Sequence, residues 1–106
     1  MSASAQETAL AQFKNRVAAL YGDNLDRVVL FGSRARGDNT ADSDYDVAVF
    51  LKTMPDRWNE IDRLAALRLR YLAQDNIFFD VMPYRAEDYD KDTALMFAIR
   101  TEGVPL

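Results

Sequence analysis

The sequence contains neither cysteine nor histidine. Without cysteine there is no disulfide framework, no thiolate nucleophile and no cysteine zinc site. Without histidine there is no Ser-His-Asp triad and no imidazole metal ligand. Any catalysis must therefore run on carboxylates, Lys, Arg, Tyr, hydroxyls, backbone amides and hard metal ions. Glycine and proline are also scarce, four and three in 106 residues, and 49% of the chain is hydrophobic. That balance reads as a soluble, globular chain rather than a disordered one. No stretch approaches the roughly 20 apolar residues of a membrane-spanning helix. The start, Met1 to Thr8, lacks the basic residues and apolar run of a secretory leader. The expectation is a cytoplasmic protein without a membrane partner, built as one domain over residues 1–106. Positive charge is in deficit, 13 Lys and Arg against 17 Asp and Glu. A net charge of −4 argues against direct DNA binding, which needs a cationic surface.

Periodicity supplies the elements. Leu10, Phe13, Val17 and Leu20 recur three and four apart, which predicts a helix over Ala5 to Tyr21, stopped by Gly22-Asp23-Asn24. Arg27 to Phe31 and Tyr45 to Leu51 read as buried strands. Gly32 to Ser43, between them, reads as a loop with room for one helical turn. Met54-Pro55-Asp56 opens a helix to about Gln74, expected to turn Trp58, Ile61, Ala65, Leu69 and Leu72 inward. Ile77 to Met82 reads as a third strand ended by Pro83, with Phe78 and Phe79 in the core beside Tyr45. Glu87 to Lys91 is a charged connection. Thr93 to Glu102 is a last helix whose Leu95, Met96, Phe97 and Ile99 are apolar on more than one face, a surplus that could dock a partner. The expected fold is a small α/β domain with a mixed sheet flanked by helices, in the order α-β-β-α-β-α.

Chemistry concentrates in Gly32-Ser33-Arg34-Ala35-Arg36-Gly37 and in Ser43-Asp44-Tyr45-Asp46 five residues later. A Gly-Ser turn after a strand exposes backbone amides and a hydroxyl that can hold phosphate oxygens. Asp44 and Asp46 are two apart at a strand start, so their side chains share a face. Two carboxylates about 4 Å apart repel by about 4 kcal/mol at an effective dielectric of about 20, and a divalent cation removes that cost. Oxygen-only donors suit Mg²⁺ or Mn²⁺. Asp80 interrupts an apolar strand and needs compensation. An arginine such as Arg68 or Arg70 could provide it. Alternatively, if its strand lies beside Tyr45–Leu51, three carboxylates converge and could hold two ions.

The run GSRARG-DNTAD-SDYDVAV resembles the signature GSxARGxxxxxSDxDxxV of the minimal nucleotidyltransferase family, within the DNA-polymerase-β-like superfamily. It agrees at Gly32, Ser33, Ala35, Arg36, Gly37, Ser43, Asp44, Asp46 and Val49. Many members are antitoxins of HEPN/MNT toxin–antitoxin pairs. The resemblance implies a nucleotidyltransferase fold and Mg²⁺-dependent transfer of AMP from ATP to a tyrosine of a HEPN toxin. It implies that Gly32 and Ser33 hold the β/γ-phosphates. Asp44 and Asp46 would bind two Mg²⁺ ions, and Asp80 the ion that activates the acceptor hydroxyl. Arg36 would contact phosphate or brace the loop. Asp42 is unusual, adding negative charge that would weaken nucleotide binding. Two alternatives stand beside this reading. One is a nucleotidyltransferase acting on a small molecule or an RNA end, whose relatives generally carry an added helical domain. The other is an antitoxin that only binds, for which the three aspartates would be unneeded. A P-loop kinase is disfavoured because GxxxxGK[ST] is absent.

Overall fold

The computed structural model describes residues 5–106, with side chains from residue 8 onward. The expectation about residues 1–8 therefore lies mostly outside the described residues. Helix α1 (Ala5–Tyr21) leads through a 3₁₀ turn at Gly22–Asn24 into strand β1 (Leu25–Phe31). The one-turn helix α2 (Ser33–Arg36) follows, then β2 (Tyr45–Leu51), α3 (Arg57–Asp75) and β3 (Phe79–Arg85). A second 3₁₀ segment, Ala86–Asp90, precedes α4 (Ala94–Glu102) and a short strand β4 (Val104–Pro105). The sheet order is β3-β2-β1-β4. β1 runs antiparallel to β2 and β4, whereas β2 and β3 are parallel. The expected mixed sheet is present, with β4 as an addition: two residues after Gly103 were too few to register as a strand pattern.

Alternation along the strands divides the core in two. Tyr45, Val47, Val49 and Leu51 of β2 join Val28, Leu30, Phe79 and Val81 under α1 and α3. Val29, Ala48 and Phe50 face the other way, under Met96 and Ile99 of α4. On the larger side Phe13 stacks on Phe79 at 4.2 Å, and Tyr71 meets both rings edge-on at 5.6 and 5.3 Å. This cluster ties α1, α3 and β3 together and sets the height of β3 against β2.

Helix α3 corrects one expectation. Trp58 is 76% exposed, Leu69 55% and Leu72 38%, while Leu64 and Tyr71 are buried. The helix carries two apolar stripes, and both obey helical spacing. The position of β3 selects the one with Leu64 and Tyr71. The caps behave as their residue types predict: Asp56 accepts from the Asn59 amide at 3.3 Å, and Asn76 closes the helix at φ 52°.

The third strand is the second correction. It starts at Phe79 and passes through Pro83 to Arg85 instead of stopping at Met82. The reason is its place at the sheet edge. The Phe78 carbonyl accepts from the Tyr45 amide, so even-numbered positions face β2 and Pro83 turns its missing N–H toward the open edge. Phe78 lies just before the strand and is 36% exposed, so it is not core. Tyr45 and Phe79 are buried as expected. In α4, Met96 and Ile99 are buried and Leu95 and Phe97 exposed.

Candidate functional site

The site is assembled where β1 ends and β2 and β3 begin. Gly32 follows β1 with φ 75° and ψ −158°, a region that only glycine enters without strain. A Cβ placed there would overlap Oδ2 of Asp46 and stand 3.0 Å from its Cγ. The glycine therefore does two things: it turns the chain into α2 and clears space for a carboxylate. The first-turn amides of Ser33 and Arg34 have no intrahelical partner and remain available to an anion.

The parallel register of β2 and β3 pairs Asp46 with Asp80. In-register residues of neighbouring strands project to the same face, so both carboxylates sit on the α4 side, away from α1 and α3. Asp44 precedes β2 by one residue, two before Asp46, and is exposed. Asp80 is exposed at the open end of the sheet, and among the described residues it has no arginine partner. Arg68 instead lies over the Phe78 ring. Burial first, then the charges of Asp80 and Asp44, hold the Asp46 carboxyl above its usual range, while Arg36 pulls it back down.

Asp46 thus senses the charges of the other two carboxylates. Among the described residues no three carboxylates stand close enough together to cage a cation as they are. Asp44 and Asp80 are exposed, and exposed side chains change rotamer readily. The donor chemistry, three carboxylates and no imidazole or thiolate, fits a hard divalent cation and not zinc or copper.

Two arginines behave differently in the loop. Arg36 is exposed and forms ion pairs with Asp38 and Glu102, each at 3.2 Å. It therefore joins the end of α2 to α4 and keeps its charge near Asp46. Arg34 was the less prominent of the two in the sequence, yet it organises the loop. Its Nε donates to the Ser43 carbonyl at 2.9 Å and Nη2 to the Ala41 carbonyl at 3.2 Å. Its guanidinium stacks on the Tyr45 ring at 4.2 Å. Ser43 adds to this, its Oγ accepting from the Thr40 amide at 2.9 Å. These contacts hold the segment that delivers Asp44. No spacing rule in the sequence marks Arg34 for this role. Tyr84 is a second residue the sequence did not single out. It lies on the same sheet face as Asp80, and its phenol is held above its usual range by burial and Asp80, against the pull of Arg57. Asp42 borders a cavity that it shares with Tyr45, Leu72 and Ile77.

The chain matches the nucleotidyltransferase domain family over residues 10–97. It is 36% identical over 76 residues to MJ0141 of Methanocaldococcus jannaschii, whose name carries protein adenylyltransferase as a provisional assignment. That match covers 72% of this chain and 76% of the relative. In fold it is similar to a Sulfolobus solfataricus protein provisionally assigned as a nucleotidyltransferase. Their TM-score is 0.63 at 22% identity, covering 99% of this chain and 87% of that one. It is similar also to a chain of a toxin–antitoxin crystallised with AMP-PNP, TM-score 0.60 at 21% identity, covering 89% and 69%. At such identities the structural likeness speaks for the fold, and the family match speaks for the chemistry. On this kinship the chain belongs to the nucleotidyltransferase domain family and is an enzyme of nucleotidyl transfer.

Proposed function

We propose that this enzyme transfers AMP from ATP to a hydroxyl of a partner protein, a tyrosine of a HEPN-type toxin, and thereby acts as an antitoxin in the cytoplasm. The observation that carries the reading is the register of Asp46 against Asp80 beside the Gly32-Ser33 turn. The relative with a protein adenylyltransferase assignment and the toxin–antitoxin fold neighbours support the acceptor class.

In this reading the amides at the start of α2 and the Ser33 hydroxyl bind the β/γ-phosphates, with Arg36 adding positive charge. Asp44, Asp46 and Asp80 would hold two Mg²⁺ ions, or Mn²⁺, which would neutralise the triphosphate and favour the deprotonated acceptor. The acceptor oxygen bonds to the α-phosphorus, and the bond from that phosphorus to the pyrophosphate oxygen breaks in line. Asp80 takes the hydroxyl proton in a chain that has no histidine to do so. Pyrophosphate leaves with its charge spread over the turn.

Label transfer tests this. The chain is incubated with Mg²⁺ and α-labelled ATP in lysate of its source, beside Asp44→Asn. A labelled protein band with the wild type and none with the variant is the expected result, and mass spectrometry of the band identifies the acceptor. Label on RNA or a small molecule would assign a different substrate class. No label anywhere, with a stable protein partner still bound, would leave an antitoxin that works by binding alone.

A further inference from the structure

A cavity of about 690 Å³ lies on the side of the sheet opposite the carboxylate face. Its walls include Arg34 of α2, Asp42 of the following loop and Tyr45 of β2, with Leu72, Asp75 and Phe78 from the end of α3 and the entry to β3. Ser43 also lines it, and the next residue is Asp44. The cavity therefore adjoins the segment that carries Asp44, while Asp46 and Asp80 lie across the sheet. Leu72 and Phe78 are 38% and 36% exposed, and Leu69 extends the apolar strip along α3. Arg34 is already engaged by two loop carbonyls and the Tyr45 ring. Asp42 and Asp75 are exposed, and neither has an ion-pair partner among the described residues.

We infer that this cavity is the docking socket for the acceptor protein, taking a large apolar side chain flanked by Lys or Arg. The inference rests on the proposed transfer to a protein and names the surface that recognises it. Charge decides the occupant. A second copy would bring a chain of net charge −4 to a face whose exposed carboxylates already lack partners. A nucleic acid would bring phosphates to the same two carboxylates. A cationic, apolar protein segment satisfies both the carboxylates and the exposed Leu72 and Phe78. Anchoring it beside Ser43 carries the acceptor hydroxyl over the edge of the loop toward Asp80, and it gives Asp42 a task away from the nucleotide.

The test uses the full chain with Mg²⁺ and ATP and three labelled probes. One is a synthetic helical peptide with tyrosine, leucines and flanking lysines, the second its glutamate-flanked counterpart, the third a short RNA. By fluorescence anisotropy the lysine peptide binds, and the glutamate peptide and the RNA bind at least about tenfold more weakly. Asp75→Lys, a change the C-terminus of α3 tolerates because a cation suits that end of a helix, reverses the preference between the peptides. Leu72→Glu, at an exposed helical position, weakens the lysine peptide about tenfold. Both variants keep the rise in melting temperature produced by Mg²⁺ and ATP. Equal binding of the two peptides, binding of neither, preferential RNA binding or an unchanged preference in Asp75→Lys would overturn the socket. So would loss of the nucleotide-induced rise in that variant, which would assign the cavity to ATP. Failure of protein adenylylation itself is read separately, as absence of any labelled protein that Asp44→Asn abolishes.

Discussion

Replacing Gly32 by alanine perturbs the site with a single methyl. Two costs add. The backbone at φ 75°, ψ −158° is strained for any residue with a Cβ, at about 1–3 kcal/mol. The methyl also overlaps the Asp46 carboxylate, and overpacking of that kind costs about 1–3 kcal/mol more unless the side chain moves away. Gly37 is the internal control. Its φ of 85° is also positive, but nothing lies within 4 Å of an added Cβ. Gly37→Ala should therefore cost about 1 kcal/mol, the left-handed strain alone. Gly32→Ala should cost about 2–6 kcal/mol if Asp46 stays in place. At roughly 5 °C per kcal/mol for a domain of this size, the melting temperatures should fall by about 5 °C and about 10–30 °C. If Asp46 swings aside instead, the stability loss shrinks and transfer activity disappears. Thermal melts with and without Mg²⁺ and ATP, together with label transfer, separate these routes. The reasoning fails if Gly32→Ala melts like Gly37→Ala and transfers nucleotide like the wild type.

Other expectations follow from the same geometry. Asp46→Asn should abolish transfer yet stabilise the metal-free chain at neutral pH. The folded protein holds the Asp46 carboxyl above its usual range, so wild-type stability declines as pH rises through that raised value. The advantage of the variant should vanish in acid; an equal advantage at every pH would refute it. Arg34→Lys should not rescue Arg34→Ala. A lysine cannot donate in the fork that reaches both Ser43 and Ala41, so each variant should lose about 2 kcal/mol by urea unfolding and lower kcat with Asp44 misplaced. Leu64→Ala, at a fully buried position, should cost about 2–5 kcal/mol, whereas Leu69→Ser, 55% exposed, should change stability by less than about 0.5 kcal/mol. The reverse order would restore the inward face read from spacing alone.

Much of this protein is written locally. Glycine at 32 and 37, aspartates two apart at a strand entrance, and apolar runs of strand length all act through neighbours in sequence, so β1, β2, α1 and the one-turn α2 are legible without coordinates. The absence of cysteine and histidine likewise restricts the chemistry to carboxylates and hard cations before any fold is known. Other features needed the assembled sheet. Whether α3 buries Leu64 and Tyr71 or Trp58 and Leu69 depends on where Phe13 and Phe79 stand, because both stripes satisfy a 3.6-residue period. Pro83 can lie within a strand only because β3 is the sheet edge. Arg34 organises the loop through carbonyls seven and nine residues away, which no periodicity encodes. The same holds for Asp80. Its carboxyl is exposed rather than buried in an apolar strand, and it faces Asp46 because a parallel register is a property of two strands and the helix between them. Residue types determined what the site can do, and strand pairing decided which residues meet to do it.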